Sequence, residues 1–262
     1  MSSFKPHTED AMPTPVDLLF DPLTWMLLAM FTGLGAWEVL APGRELPRIR
    51  GWTGRMLSSF LIYFLLSSYL PLLWGDALAP LQWFDLSSWP TWGAVGAALL
   101  AYEAGAYAWH RSMHRFTPLW RLLHQMHHSA ERIDVVSAYW FSPLDMVTWT
   151  LLPSLILTVL GVPAQAATIT LLTVSFLAMF QHANIRTPHW LGYLVQRPEM
   201  HVVHHARGVH RYNYADLPFL DMLFGTFRNP VGYEHSTGFW DGASSRVVDM
   251  LLLRDVSQES RR

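Results

Sequence analysis

The run WGAVGAALLAYEAGAYAWHRSMH (92–114) decides the fold. From Trp92 to Trp109 it is apolar except for Glu103, close to the roughly 20 residues that a helix needs to cross a bilayer core. It then leaves the apolar stretch as His110-Arg-Ser-Met-His114. Glu103, Tyr107, His110 and His114 are spaced 4, 3 and 4, so on a helix they form one continuous stripe. The stripe begins inside the hydrocarbon layer and ends at imidazoles. A carboxylate at that depth is costly and marks function by default.

Four further runs have the same character: Pro22 to Ala41, Met56 to about Trp74, Leu144 to Val162, and Ala164 to Ala183. Gly161-Val162-Pro163 separates the last two, which predicts a tight membrane hairpin over 144–183. Trp37, Trp52, Trp74, Trp89, Trp92, Trp109 and Trp140 fall near the ends of these runs, as interfacial indoles do. Composition agrees: 51% of the 262 residues are apolar and 15% charged, where soluble domains carry about a quarter charged. A soluble all-α protein with very apolar core helices is the alternative, and the arginines argue against it. Arg44, Arg48, Arg50 and Arg55 crowd the first loop, and Arg111, Arg115, Arg121 and Arg132 lie between the third and fourth runs. The 75–91 connection has Asp76 and Asp85 but no Lys or Arg. The positive-inside rule then places the N-terminus outside and, after five crossings, the C-terminus in the cytoplasm. The expected organisation is an extracytoplasmic segment 1–21, spans one to three over 22–109, and a region 110–262 that carries the chemistry. The tail from about Ser244 reads as a short helix with an apolar stripe, lying against the membrane or packed on the domain.

Cysteine is absent, which excludes disulfides, iron–sulfur clusters, thiolate-ligated haem and Cys-type zinc sites. A net charge of −2 argues against a nucleic-acid partner. Histidine is abundant instead: of 13, only His7 precedes His110. Four groups stand out: His110 and His114; His124, His127 and His128; His182; and His201, His204 and His205. Residues at i, i+3 and i+4 share a helix face, so each H-x2-H-H places three imidazoles together. Pro118 and Pro198 stand at helix starts, and Gly208 is placed to end the second of these helices. His7, His189 and His235 stand apart and read as ordinary hydrogen-bonded histidines. Burying the grouped ones without a metal would leave unpaired polar groups or mutually repelling cations. Imidazole suits zinc, copper, iron and nickel, and one tetrahedral zinc uses four ligands at most. Two metals, each held by four or five nitrogens, fit the count. The expected fold is all-α: a polytopic membrane helix bundle with a cytoplasmic helical cap carrying a histidine-rich di-metal site.

The run HRSMHRFTPLWRLLHQMHHS (110–129), preceded by Glu103 and Tyr107, resembles the fatty acid hydroxylase/sterol desaturase superfamily of integral membrane di-iron enzymes. FQHANI (180–185) and MHVVHH…NY…FLDMLFGTF (200–227) continue the pattern in the same order, so the resemblance covers about 103–230. It implies iron ligation by His110, His114, His124, His127, His128, His182, His201, His204 and His205. It also implies a polar role for Asn213 beside the last cluster, holding a metal-bound water, and a place for His210 next to the ligands. Glu103, Tyr107, Asn213 and His210 are therefore the further catalytic candidates. One departure concerns Trp140-Phe-Ser142-Pro143, where many relatives read Arg-x-His-Pro; Ser142 cannot replace an imidazole. Leu220-Asp221 stands where Trp-Asp is common.

The resemblance implies two iron ions, O2 as co-substrate and a lipid substrate drawn from the bilayer. Imidazole-bound iron can reduce O2 and attack an unactivated C–H bond. Hydroxylation of a fatty acyl, sterol-like or isoprenoid substrate is the expectation, with desaturation at the same site as the alternative. A non-catalytic metal-binding or transport protein is the second alternative. No nucleotide, flavin or haem signature is visible in the chain, so electrons are expected from a separate ferredoxin, cytochrome or reductase.

Overall fold

The computed structural model describes residues 12–259 and, among them, is all-helical, with two isolated β-bridges and no strand. His7 and the start of the 1–21 segment lie outside the described residues. A short helix α1 (Pro15–Phe20) opens on a Thr14 cap reciprocated by Asp17. Asp21 accepts from Leu23 N–H at 2.7 Å to start α2 (Pro22–Leu40). The longest helix is α3 (Trp52–Leu78). Its start lies ahead of the apolar run because Trp52 and Met56 are buried among Met126, Val202 and Met250. Trp52 Nε1–H also donates to buried Asp134.

Helix α4 (Thr91–Arg115) carries the opening stretch. Then α5 (Thr117–Leu119), a π-helical turn over Trp120–His124, and α6 (Gln125–His128) form one helical segment. The hairpin follows as α7 (Pro143–Leu160) and α8 (Ala164–His182). Ser142 caps α7 by accepting from Asp145 N–H, and its hydroxyl donates to Leu123 C=O at 3.0 Å, pinning the π turn to the helix start. Ser142, where the resemblance would have an imidazole, is thus a structural cap. Gly161 ends α7 at φ +57, where a Cβ would come within 2.5 Å of Phe84 O, so only glycine fits the turn beneath the 82–86 loop.

Four helices are long and apolar enough to cross a membrane: α2, α3 with its short extension to Leu81, α7 and α8. The expectation was five. The remaining helix, α4, spends its length on Gly, Ala, Tyr and Glu103, and it packs inside the bundle against α7 and α8. Its ends nevertheless lie level with those of α8: Thr91 reaches Gln165 at 3.4 Å at one end, and His110 and His182 line one chamber at the other. Outward faces of α2 and α3 expose Trp25, Trp37, Leu61, Ile62 and Leu73, a surface suited to lipid. The chain is a membrane protein.

Beyond α8 lie α9 (Pro198–His204), α10 (Phe219–Leu223) and α11 (Val247–Leu251). Helix α9 ends at His204, four residues before Gly208, because His205 and Ala206 already turn back toward the 206–237 bridge. Buried Glu131 clamps the C-terminal part by accepting from Gly242 and Ser244 N–H at 2.9 and 3.0 Å.

Candidate metal centre

The last two turns of α4 carry His110 and His114; the π turn and α6 carry His124, His127 and His128. His182 is the last residue of α8, and α9 with its cap supplies His201, His204 and His205. These nine converge in two groups that could each hold a metal ion: His110, His114, His124, His128 and His204, and His127, His182, His201 and His205. Within each group all donor atoms lie within 4.8 Å of one another. Two imidazole nitrogens on opposite sides of one ion at the usual bond length sit roughly 4.2 Å apart, so a small contraction completes either shell. Each H-x2-H-H triplet is split. His124 and His128 join one group while His127 joins the other, and His204 is likewise separated from His201 and His205. The three rings of each triplet do lie together, with centroids within 5.5 Å of one another, but they serve different groups.

Outer hydrogen bonds fix the rings. Nδ1–H of His110, His114 and His204 donates to the carbonyls of Tyr214 (2.9 Å), His210 (2.8 Å) and Tyr212 (2.7 Å). His182 and His127 donate likewise to Ala178 (2.7 Å) and Trp140 (3.3 Å). His124 Nδ1–H donates to Asp145 Oδ2 at 2.9 Å. With the Gln196 amide oxygen turned toward it, His201 Nδ1–H has an acceptor at 2.6 Å, while the amide nitrogen donates to Asn213 and Ala215 carbonyls. Committing Nδ1 outward leaves the Nε2 lone pairs pointing inward, the tautomer a metal requires. They face one another: His110 and His124 at 2.9 Å, His182 and His201 at 3.0 Å, His201 and His205 at 3.0 Å. Nε2 of His114, His128 and His204 and Nδ1 of His205 are buried without any partner. Left so, four orphaned nitrogens would cost roughly 4–12 kcal/mol, comparable to the whole stability of a domain. Burial also pushes His124, His127, His128, His201, His204 and His205 well below the usual imidazole range, which keeps them neutral. The donor set fits metal ions.

The other candidates are placed differently. His210 does sit beside the ligands, its Nδ1 3.1 Å from His128 Nδ1. Asn213 is not free to hold a metal-bound water: its amide donates to Met200 and Arg228 carbonyls at 2.9 Å and accepts from Arg228 N–H at 2.8 Å. It locks the 210–213 loop, in which His210, Tyr212 and Asn213 all have positive φ. Tyr107 meets Thr226 (3.1 Å) and accepts from Arg111 (2.8 Å). Glu103 accepts from Leu217 N–H at 3.0 Å. Both brace the 214–226 segment and neither lines the two cavities described below, while Glu103 Oε1 stays buried without a partner. His189 bonds the Asn229 carbonyl, and His235 lends its own carbonyl to Arg44.

Sequence reasoning assigned no role to Asp145, Gln181, Gln196 or Asp216. Asp145, a carboxylate in the first turn of an apolar helix, two residues after Pro143, was the readable signal. Asp216 accepts from Gln181 at 2.8 Å and is pushed up to about 6 by burial.

Two cavities with shared walls lie beside the site, and the smaller one meets the histidines. A chamber of about 80 Å³ is lined by His110, His124, His127, His182, His201 and Asp216, among others. Tyr63, Tyr102, Tyr139, Trp149 and Ala178 line both this chamber and a larger cavity of about 420 Å³ between α3, α7 and α8. An apolar slot thus descends from membrane depth to the imidazoles.

An all-helical membrane protein with paired histidine groups at the foot of an apolar slot is the class that fold and site define. The fatty acid hydroxylase family model matches residues 95–226, half of the chain. The chain belongs to this family, within the fatty acid hydroxylase/sterol desaturase superfamily. Over 137 residues, 51% of this chain, it is 31% identical to a Delta(7)-sterol-C5(6)-desaturase from Nicotiana tabacum. The matched part spans about half (49%) of that relative's length. No solved structure matches the chain.

Proposed function

We propose that the chain is an O2-dependent lipid oxidoreductase that holds one iron ion in each histidine group and hydroxylates a C–H bond of a bilayer lipid. The carrying observation is the meeting of nine inward-facing imidazoles with an apolar slot of about 420 and 80 Å³. Bound iron supplies the reduction of O2 and the abstraction of hydrogen from an unactivated C–H bond. The chain does the rest. Its slot takes the alkyl or ring portion of the substrate and excludes water, and the collar of Tyr63, Tyr102, Tyr139 and Trp149 selects what reaches the small chamber. Carbonyls of Tyr212, Tyr214, His210, Trp140 and Ala178, with Asp145 and Gln196, hold the rings in register. The arginine distribution supports a cytoplasmic position for this end of the bundle, where a soluble electron donor would reach it.

Metal transport is disfavoured because each carboxylate it would use already has an oxygen bonded within the fold. Glu38 accepts from Val135 and Asn184 N–H at 3.0 Å, Glu103 from Leu217, and Asp145 from His124. Desaturation is the second reading, favoured by the name of the tobacco relative. The two differ only in whether the substrate gains a hydroxyl or loses a neighbouring hydrogen.

Elemental analysis of purified protein with lipidomics of cells with and without the chain tests this. About two irons per chain and a product heavier by one oxygen support hydroxylation, and loss of two hydrogens supports desaturation. One metal or none, or a lipid profile untouched by His127→Ala and His204→Ala, overturns the proposal.

A further inference from the structure

We infer that the exposed face over the 210–214 loop is the docking surface for an acidic one-electron carrier protein, an inference that rests on the oxidoreductase reading above. On this face Arg211 and Arg228 lay their guanidinium groups on the Tyr212 ring, 4.9 and 4.1 Å from its centroid. Arg111 donates to Tyr107, whose hydroxyl meets Thr226, and the Thr226 carbonyl accepts from Asn213 N–H at 3.0 Å. This chain of bonds ties Arg111 to the loop that carries Arg211 and Tyr212. All three arginines are exposed, and none is paired with a carboxylate among the described residues. Unneutralised arginines around a half-buried tyrosine have the composition of an interface, and their charge calls for an acidic partner.

What lies beneath separates this patch from an ordinary basic face. The carbonyls of His210, Tyr212 and Tyr214 accept from His114, His204 and His110, three members of the five-histidine group. A carrier seated on Tyr212 is one peptide unit and one hydrogen bond from an imidazole. The loop holds φ of 43, 76 and 49° at His210, Tyr212 and Asn213, a strained path kept in place by the three Asn213 bonds. Without that path the carbonyls would not turn inward while the arginines face out. Each encounter oxidises the carrier by one electron and reduces the metal site by one. Two encounters with two protons match one O2, yielding hydroxylated product and one water, or desaturated product and two waters. Headgroup binding would explain arginines at a membrane end, but not their tie to the imidazoles.

The test uses the full, iron-loaded chain in phosphatidylcholine nanodiscs, with an acidic plant-type [2Fe–2S] ferredoxin as donor and reduced methyl viologen, a small cation, as the comparison reductant. Stopped-flow traces should show the R211E/R228E variant oxidising ferredoxin about tenfold or more slowly and with a flattened salt dependence. Reduction by methyl viologen should not slow. An unchanged ferredoxin rate, or an equal loss with both reductants, overturns the inference. So does a defect that appears only in discs containing phosphatidylserine, which would assign the arginines to lipid headgroups. A wild-type chain that methyl viologen fails to reduce would remove the oxidoreductase reading itself, a separate outcome.

Discussion

Asp145 is the residue whose removal should say most about the metal centre. Its Oδ2 takes the Nδ1–H of His124 at 2.9 Å, both side chains are buried, and its other oxygen has no partner. Two consequences pull in opposite directions. In the metal-free protein the carboxylate is a poorly compensated buried group, so Asp145→Asn should leave the melting temperature unchanged or raise it. In the loaded protein the same carboxylate raises the basicity of His124 and fixes its tautomer. Asn can instead turn its NH2 toward Nδ1, which moves the ring proton to Nε2 and removes a ligand. Loss of such an outer partner costs 10–100-fold in metal affinity, or about 1.4–2.8 kcal/mol. The assay is an iron titration of chelator-stripped Asp145→Asn and Asp145→Ala proteins, with metal content read per chain and thermal unfolding measured in parallel. The expected result is weaker iron binding together with an undiminished apo melting point. Wild-type affinity in both variants would refute the reasoning. A melting point lowered in step with affinity would make Asp145 a fold residue only.

Ala178 lines both cavities, so Ala178→Phe should block the junction and lower turnover at least tenfold while iron content stays near wild type; product mass spectrometry beside metal analysis checks this. Asn213→Ala forfeits three hydrogen bonds and leaves alanine at φ 49°, which should cost about 2–4 kcal/mol in chemical unfolding. The pH dependence has a definite sign. Burial depresses the folded pKa of His124, His127, His128, His201, His204 and His205, so the unfolded chain binds more protons. Stability of the chelator-stripped protein is therefore full above the unfolded value near 6.5 and falls as pH drops below it. The slope is about 1.4 kcal/mol per pH unit for each group titrating. Calorimetry from pH 8 to 5 with and without iron should show the loaded form resisting to lower pH.

The helices were legible because their ends are written locally: Asp21-Pro22 opens α2, Ser142-Pro143 opens α7, and Gly161 with Pro163 makes the hairpin. The histidines were legible by number and spacing. Their partition was not, since it depends on how α4, α6, α8 and α9 approach one another. Glu103 shows why a stripe on a helix does not fix its purpose: its partner, Leu217, lies 114 residues further on. Tyr107 is drawn away in the same way by Thr226. Gln196 and Asp216 have no periodic relation to any ligand, so only the folded chain reveals them.

The splitting of each triplet between the two histidine groups has a thermodynamic consequence. Helices α6 and α9 each contribute to both groups, so ordering them around one ion also prepares the other shell. The ordering cost is met largely by the first ion, and the second binds a site already formed. Uptake should therefore be cooperative, with singly loaded chains scarce at half saturation, and the two ions should leave nearly together when a chelator competes. Such a centre would behave as one binding unit with two seats.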